Sequence, residues 1–418
     1  MRTHSPASAA SICIAIFACI ALPLILHNYD QGRAYYDQMT YHYPAIRHFL
    51  AGGDFRDYSS ATTPGFHLLL AAVARLISDS ERVLKLASFL ITVALIGWVA
   101  LRVARQVSDR TVAVILILPL LLSIYFLPSG VWLLPDNLAW LSVFCALVLA
   151  QEYRDEGTWY VLVSITLAAA VFVRQSNAWL CAVACAVALA PTASWSDLDG
   201  IPRRLIRVSL AIAPCLGVLV YFVRLWHGSV PPSFAEKHAA INFAAAPYFL
   251  AVVGFYGLFY LPVIWGPVVR ASRHLLWWGA LAGLTVGASS PTDWDQDAGR
   301  VSGLWNLARL LPSVAHRSVL IVSLAAFGGS IGAALLALAS RRDRVIAAVA
   351  AVGFVAAQTL SHFVYERYYA GFVFLIMILL VADIARRVAA VPRWALAGPA
   401  ALALLNACVL AAGLWAHL

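Results

Sequence analysis

Charge is what this sequence has least of. Asp, Glu, Lys and Arg together make up 12% of its 418 residues, against 62% hydrophobic ones. A soluble domain carries about 25% charged residues, and a chain this long cannot cover a water-facing surface with half of that. A soluble globular enzyme, a disordered chain and a nucleic-acid-binding module are thereby excluded. Lysine is scarcer still, with only Lys85 and Lys237, so the net charge of +9 is an excess of arginine. That excess fits cytoplasmic loops and anionic head groups better than nucleic acid. No cysteine stands in a polar loop: Cys13, Cys19, Cys145, Cys181, Cys185, Cys215 and Cys408 all lie in apolar stretches, which implies neither a disulfide framework nor a zinc site. Walker A, GxSxG, HExxH and haem motifs are missing. Charges are sparse within the apolar runs, which counts against an ion-coupled pump with a buried relay. Paired broken helices in matching halves are not evident either. There is no internal repeat, low-complexity linker or soluble domain.

What is present is a succession of apolar runs of spanning length. They fall near 10–26, 83–101, 111–127, 137–151, 158–173, 178–191, 205–225, 249–269, 274–289, 318–340, 344–361, 371–385 and 394–416. The expected fold is all-α: a polytopic membrane protein with about 13 transmembrane helices in a single integral membrane domain over 1–418. The first run follows Arg2 but lacks a clear small-residue cleavage site, so it reads as a retained helix. The stretch 64–78 carries Arg75 and is short for a span, which suits an interfacial or re-entrant helix. Short loops rich in arginine (Arg102/Arg105/Arg110, Arg203/Arg204/Arg207, Arg341/Arg342/Arg344, Arg386/Arg387/Arg393) then fall on the cytoplasmic side. The longer, mixed loops 27–82, 128–136, 226–247, 290–317 and 361–370 fall outside, and the C-terminal helices of 318–418 are chemically quiet apart from the last of these.

Polar residues gather on that outer side. The first outer loop holds Asp37, Gln38, His42, Asp54 and Asp57 among tyrosines and hydroxyls, with a short helix expected over 40–50 ending at Gly52-Gly53. A carboxylate among aromatic rings at a membrane edge has the makings of a general base. An interfacial aromatic belt would give the same composition. Arg174-Gln175-Ser176-Asn177 interrupts two apolar runs, which a membrane protein tolerates where the group meets water, a ligand or a partner. Its arginine is suited to a phosphate, and equally to snorkelling. Asp136 sits at a helix mouth, as a ligand contact or a cap. Glu236-Lys237-His238 and 362–369, with Glu366 and Arg367, are the remaining outer clusters. Asp293, Asp295 and Asp297 alternate around Trp294, read as a solvated loop before a cation site.

These motifs, in this order, resemble the GT-C superfamily of membrane glycosyltransferases. Within it the chain is most similar to the terminal alpha-1,2-glucosyltransferases that use dolichyl-phosphate-glucose in N-glycan precursor assembly. That family's Tyr-Met-Asp-Glu-x-x-His-x-Pro segment is matched over 36–44, anchored on His42-Tyr43-Pro44. Its Thr-Thr-Pro-Pro-Gly resembles Thr62-Thr63-Pro64-Gly65, its Tyr-Thr-Asp resembles Leu134-Pro135-Asp136, and its Arg-Gln-Thr-Asn resembles Arg174-Gln175-Ser176-Asn177. A late Arg-His-Tyr resembles Arg367-Tyr368-Tyr369. One departure concerns the chemistry: anchored on His-x-Pro, the family's Asp-Glu pair falls on Gln38 and Met39, and Asp37 stands one residue early. The family's Gly-Asp-Lys-Ser is only faintly echoed at Ala235-Glu236-Lys237-His238.

The resemblance implies an inverting transfer of a glucose-like hexose from a polyprenyl-phosphate sugar to an acceptor hydroxyl on a glycan or lipid. Asp37 takes the base role, with Asp54, Asp57 and Glu236 as alternatives. Arg174, Lys237, Arg367 and His42 are assigned to the donor phosphate; Gln38, Asp57, Asp136, Gln175, Asn177 and Glu236 to sugar or acceptor. No metal or other cofactor is expected, because arginine and lysine can hold a lipid phosphate. Membrane lipids are the surroundings and nucleic acid is no partner. The Ala/Arg-rich, Lys-poor composition suits a GC-rich bacterial genome, hence an inner-membrane protein with its active face toward the periplasm. A transporter or flippase of lipid-linked sugars is the rival class.

Overall fold

The computed structural model describes residues 5–56, 58–107, 109–190, 200–238, 240–270, 273–387 and 391–415. Every one of the expected apolar runs carries a helix. Seven of these are long and apolar enough to cross a membrane by length and composition: Pro6–Leu26, Glu81–Gln106, Ile201–Trp226, Ala245–Arg270, Val319–Leu338, Glu366–Arg386 and Arg393–Leu414. The protein is thus all-α and membrane-embedded in character. Some of the other helices fall below spanning length: Arg110–Leu121, Asp136–Gln151 and Gly157–Val173 have 12, 16 and 17 residues. The run 111–127 breaks into Arg110–Leu121 and the single turn Phe126–Val131. The only strands among the described residues are the dipeptides Ser313–Val314 and Arg317–Ser318, paired antiparallel in the outer loop 290–317.

Helix Glu366–Arg386 is the central post. Its Phe, Leu, Ile and Val residues point to all sides, and 89% of its apolar window is buried. A helix hydrophobic all round has no solvent or lipid face and belongs inside other helices. Helices Ala245–Arg270, Asp136–Gln151, Arg110–Leu121 and Glu81–Gln106 surround it. Beside this core, Val319–Leu338 lies against Ala245–Arg270 and Arg273–Ala288 at backbone distance. A Cβ on Gly328 would meet the Leu250 carbonyl oxygen, and one on Gly329 the Gly279 carbonyl oxygen. Small residues take the place of side-chain interdigitation there, as in membrane helix pairs.

The first outer loop is built of short helices. Gly32–Asp37 runs into a π turn over Gln38–His42, then into Tyr43–Leu50. The last of these ends where expected, with Gly52 in the left-handed region at φ 84°. Gly65–Leu76 has 12 residues, about 18 Å at 1.5 Å per residue, too short for a hydrocarbon core of about 30 Å. It buries Phe66, His67 and Leu70 against Tyr43–Leu50 and leaves Leu69, Leu76 and Ile77 exposed.

Candidate functional site

The polar motifs read from the sequence converge where the central helix begins. Glu366 and Arg367 open that helix, and the two neighbours face opposite ways. Glu366 is buried and accepts hydrogen bonds from Tyr248 (3.2 Å), Tyr256 (2.9 Å) and the Leu304 backbone N–H (2.7 Å). It therefore pins the outer loop 290–317 to the core. Arg367 turns toward the first outer loop, donating to the Asp37 carboxylate at 2.7 Å, and its Nε lies 3.9 Å from Asp136. Asp136, at the first turn of Asp136–Gln151, accepts from Arg174 at 2.8 Å and is 2% exposed. The Tyr368 ring lies beneath both guanidinium groups, at 5.3 Å from Arg174 and 5.6 Å from Arg367. Cation–π contact and ion pairing together hold the two cations side by side.

Arg174 reaches this point because the chain breaks there. It is extended, at φ −152° and ψ 115°, between helix Gly157–Val173 and a 3-10 turn over Gln175–Trp179. The break is braced by the other matched motif. Gln175 accepts from the Thr63 backbone N–H at 3.0 Å and donates to the Ala61 carbonyl at 2.8 Å, while the Thr63 hydroxyl donates to the Val171 carbonyl at 2.6 Å. A Cβ on Gly65 would strike the Phe172 carbonyl oxygen, 2.6 Å away. Only glycine permits that approach.

A cavity of about 550 Å³ lies over this cluster. Its polar end is formed by Asp37, His42, Arg174, Arg367 and Arg33, and Tyr41, Tyr125, Tyr365 and Tyr368 add aromatic hydroxyls. Its other wall is apolar, with Ile124, Pro128 and Trp132 on one side and Val409, Leu410 and Leu414 of the last helix on the other. Tyr29 ties the start of the first outer loop to that helix by donating to the Leu414 carbonyl at 2.8 Å. Asp37 is the one carboxylate lining the cavity among the described residues. An amphipathic cavity with arginines at one end and a lipid-facing helix at the other matches an anionic head attached to an apolar tail.

The π turn brings Asp37 there. It absorbs one extra residue between Asp37 and His42, the same one-residue surplus that the sequence shows against the resembled motif. Such turns recur at functional sites.

Asp37, His42, Arg174 and Arg367 of the expected site meet in one place. Others take different positions. Gln38 is fully buried behind the wall, donating to Glu81 at 2.6 Å and accepting from the Leu133 N–H at 3.1 Å. Asn177 is buried and donates to the Ala170 carbonyl at 3.1 Å. Gln175 braces the loop just described. Asp136 is enclosed by arginines. A primary amide carries both donors and an acceptor, which suits it to closing backbone gaps; these four support the wall and do not line it. Asp54 lies off the cavity and accepts from the Arg56 N–H at 2.8 Å. Asp57 and the side chains of Glu236 and Lys237 fall outside the described residues; the helix Pro232–His238 that carries the latter two passes the cavity at Phe234. The acidic run at 293–297 is drawn together by Arg300, 2.8 Å from Asp293 and 3.2 Å from Asp295.

His42, expected near the donor phosphate, is not a cation there. Burial, together with the positive charges of Arg367 and Arg174, pushes its pKa down to about 3. It is neutral near pH 7 and can offer only a neutral hydrogen bond. Its Nδ1 lies 2.9 Å from Nε2 of His67, whose Nδ1 lies 2.6 Å from the Tyr58 hydroxyl. His67 and Arg33 were not anticipated. Arg33 is one more arginine in a polar loop, but His67 is a polar exception inside an apolar helix, and that was the available signal.

Comparison with family models, curated proteins and solved structures gives no match. The class of the protein therefore rests on its architecture and site: an all-α membrane-embedded protein with an arginine-rich, amphipathic cavity.

Proposed function

We propose that the protein is an inverting glycosyltransferase of the GT-C type, transferring a glucose-like hexose from a polyprenyl-phosphate sugar to an acceptor hydroxyl on a glycan or lipid. In this reading all thirteen apolar helices belong to the membrane domain, and the cavity opens on the periplasmic side of a bacterial inner membrane. The observation that carries the reading is the meeting of one carboxylate, Asp37, with Arg174 and Arg367 at the polar end of an amphipathic cavity.

The acceptor hydroxyl attacks the anomeric carbon from the face opposite the phosphate. The Asp37 carboxylate takes its proton as the new C–O bond forms. The old C–O bond breaks and its electron pair leaves with the lipid phosphate, which gains one negative charge. Arg174 and Arg367 stand ready to stabilise that charge. Arg367 faces both Asp37 and the phosphate position, so a bound phosphate competes for the guanidinium and frees the carboxylate to accept a proton. Arginine suffices for this phosphate, so activity is expected to survive EDTA.

The test is sugar transfer in lipid, using purified protein, radiolabelled polyprenyl-phosphate glucose and a total lipid-glycan extract, with Asp37→Asn in parallel. The expected result is transfer by the native protein and a loss on the order of 10²-fold or more in the variant with donor binding retained. Transfer surviving in Asp37→Asn would move the base elsewhere. Saturable donor binding without transfer would favour a transporter of lipid-linked sugars.

A further inference from the structure

Behind the cavity wall runs a hydrogen-bonded chain that ends on the wall at His42, which lines the cavity. Tyr58 meets His67 Nδ1 at 2.6 Å, and His67 Nε2 meets His42 Nδ1 at 2.9 Å. Tyr58 is 1%, His67 0% and His42 7% exposed. The imidazole rings of His42 and His67 are nearly coplanar and meet edge to edge, with an interplanar angle of 18° and centroids 5.2 Å apart. This hydrogen-bonded chain is set in an apolar cluster that includes Phe49, Phe66, Leu70 and Trp226.

Packing alone does not call for these groups. Burying two imidazoles and a phenol costs free energy that leucine and phenylalanine would not. Chemistry fixes the direction of the chain. A phenol is a stronger acid than a neutral imidazole N–H, and the free imidazole nitrogen is the stronger base, so the Tyr58 proton goes to His67 Nδ1. A neutral imidazole carries one N–H, so His67 donates from Nε2 to His42 Nδ1. The one proton left to His42 is then on Nε2, which makes no hydrogen bond among the described residues.

We propose that Tyr58 and His67 are positioning residues that lock His42 in its Nε2–H tautomer, so that His42 presents a neutral donor to an oxygen of the ligand beside Arg174 and Arg367. In the context of the function proposed above, that oxygen belongs to the donor's phosphate or to its sugar. The role is orientation of the bound donor, distinct from the charge supplied by the arginines and the proton acceptance by Asp37. The logic is that of outer partners that fix the tautomer of a working histidine.

The first test does not depend on the reaction. Nitrogen-15 NMR of histidine-labelled protein in lipid, with His42→Gln and His67→Gln spectra for assignment, should show His42 and His67 both as Nε2–H tautomers. A His42 carrying its proton on Nδ1 would overturn the proposal. Tyr58→Phe keeps the ring and the packing but removes the hydroxyl, and should leave His67 and His42 as mixtures of tautomers. The second test is kinetic. Tyr58→Phe should reduce kcat/KM for sugar transfer about tenfold, His42→Phe by more, and His42→Gln should regain part of the loss because its amide reaches the Nε2 position. Transfer abolished by Asp37→Asn but untouched by Tyr58→Phe and His42→Phe would refute the relay and leave the enzyme reading standing. Ordered tautomers without transfer of any sugar would do the reverse.

Discussion

The central helix Glu366–Arg386 ends in arginine–aspartate pairs at both of its termini, and the two ends are built differently. At the C-terminal end Asp383 accepts from Arg386 (2.7 Å) and Arg387 (2.6 Å), three and four residues along the same chain. Both arginines are about half exposed, at 56% and 44%. Cations belong at a helix C-terminus, where they oppose the negative end of the macrodipole, and such pairs form almost for free. At the N-terminal end Arg367 faces the positive end of the same dipole. Its partners, Asp37 and Asp136, come from remote parts of the chain; Asp136 and Asp383 are equally buried, and the difference lies in Arg367, which is 25% exposed. The first end is what local sequence and a basic membrane face produce. The second opposes local electrostatics, and the fold keeps it only because two distant segments compensate it. A strained electrostatic arrangement next to a cavity points to function; a comfortable one at a helix end does not.

The largest test of this contrast is Asp136→Ala. It would leave Arg174 and Arg367 close together with their buried counter-ion gone, and should cost about 3–5 kcal/mol of stability by the precedent of broken buried pairs, read from denaturation in detergent or lipid. A loss below about 1 kcal/mol would mean that the outer cluster is as loosely organised as the inner one. Next in size, Arg367→Lys keeps the charge but not the planar fork. Loss of one charge-assisted contact of about 1.5–3 kcal/mol lowers sugar transfer about ten- to a hundredfold, measured as kcat/KM. Unchanged transfer would remove Arg367 from the phosphate.

Acid should separate the regions as well. The pKa of His42 lies near 3 in the folded protein against 6.5 ordinarily, and burial lowers His67 in the same direction. Below 6.5 the unfolded chain takes up protons that the folded one refuses, so this contribution to stability is intact above 6.5 and is lost progressively as the pH falls toward 3. His42→Gln should flatten the melting temperature against pH in that window, and an unaltered slope would place the acid sensitivity elsewhere. The smallest effect is expected for Asp383→Asn. Its carboxylate is buried, but both arginines reach water once released, so stability should fall by about 1–2 kcal/mol, less than for Asp136→Ala, with no change in transfer.

Several of these features were legible before any coordinates. Each apolar run became a helix, because hydrophobic length is a strong signal. Arg174 and Arg367 were visible as charges in places that tolerate few. Asp37 was visible as the carboxylate nearest the matched motif. What the sequence could not convey is which way a side chain faces. Glu366 and Arg367 are adjacent and equally polar, yet one anchors a loop and the other lines the cavity. Gln38, Gln175 and Asn177 carry the same groups a sugar would need, but backbone atoms reach them first. The run 111–127 was overestimated in length because hydropathy averages across the break at 122–125, where the helix stops.

The π turn over Gln38–His42 sets an angular phase. A π turn spreads one more residue over about the same rotation as an α turn, because its hydrogen bonds run from i to i+5. Removing one residue from it, Thr40 for instance, would let the segment relax to a regular helix and leave Asp37 four residues before His42 at nearly the same phase. Forcing α geometry on the existing residues would instead turn Asp37 by about 100° and take the carboxylate away from Arg367. The wide turn, more than the identity of the residues inside it, is what aims the acid at its arginine.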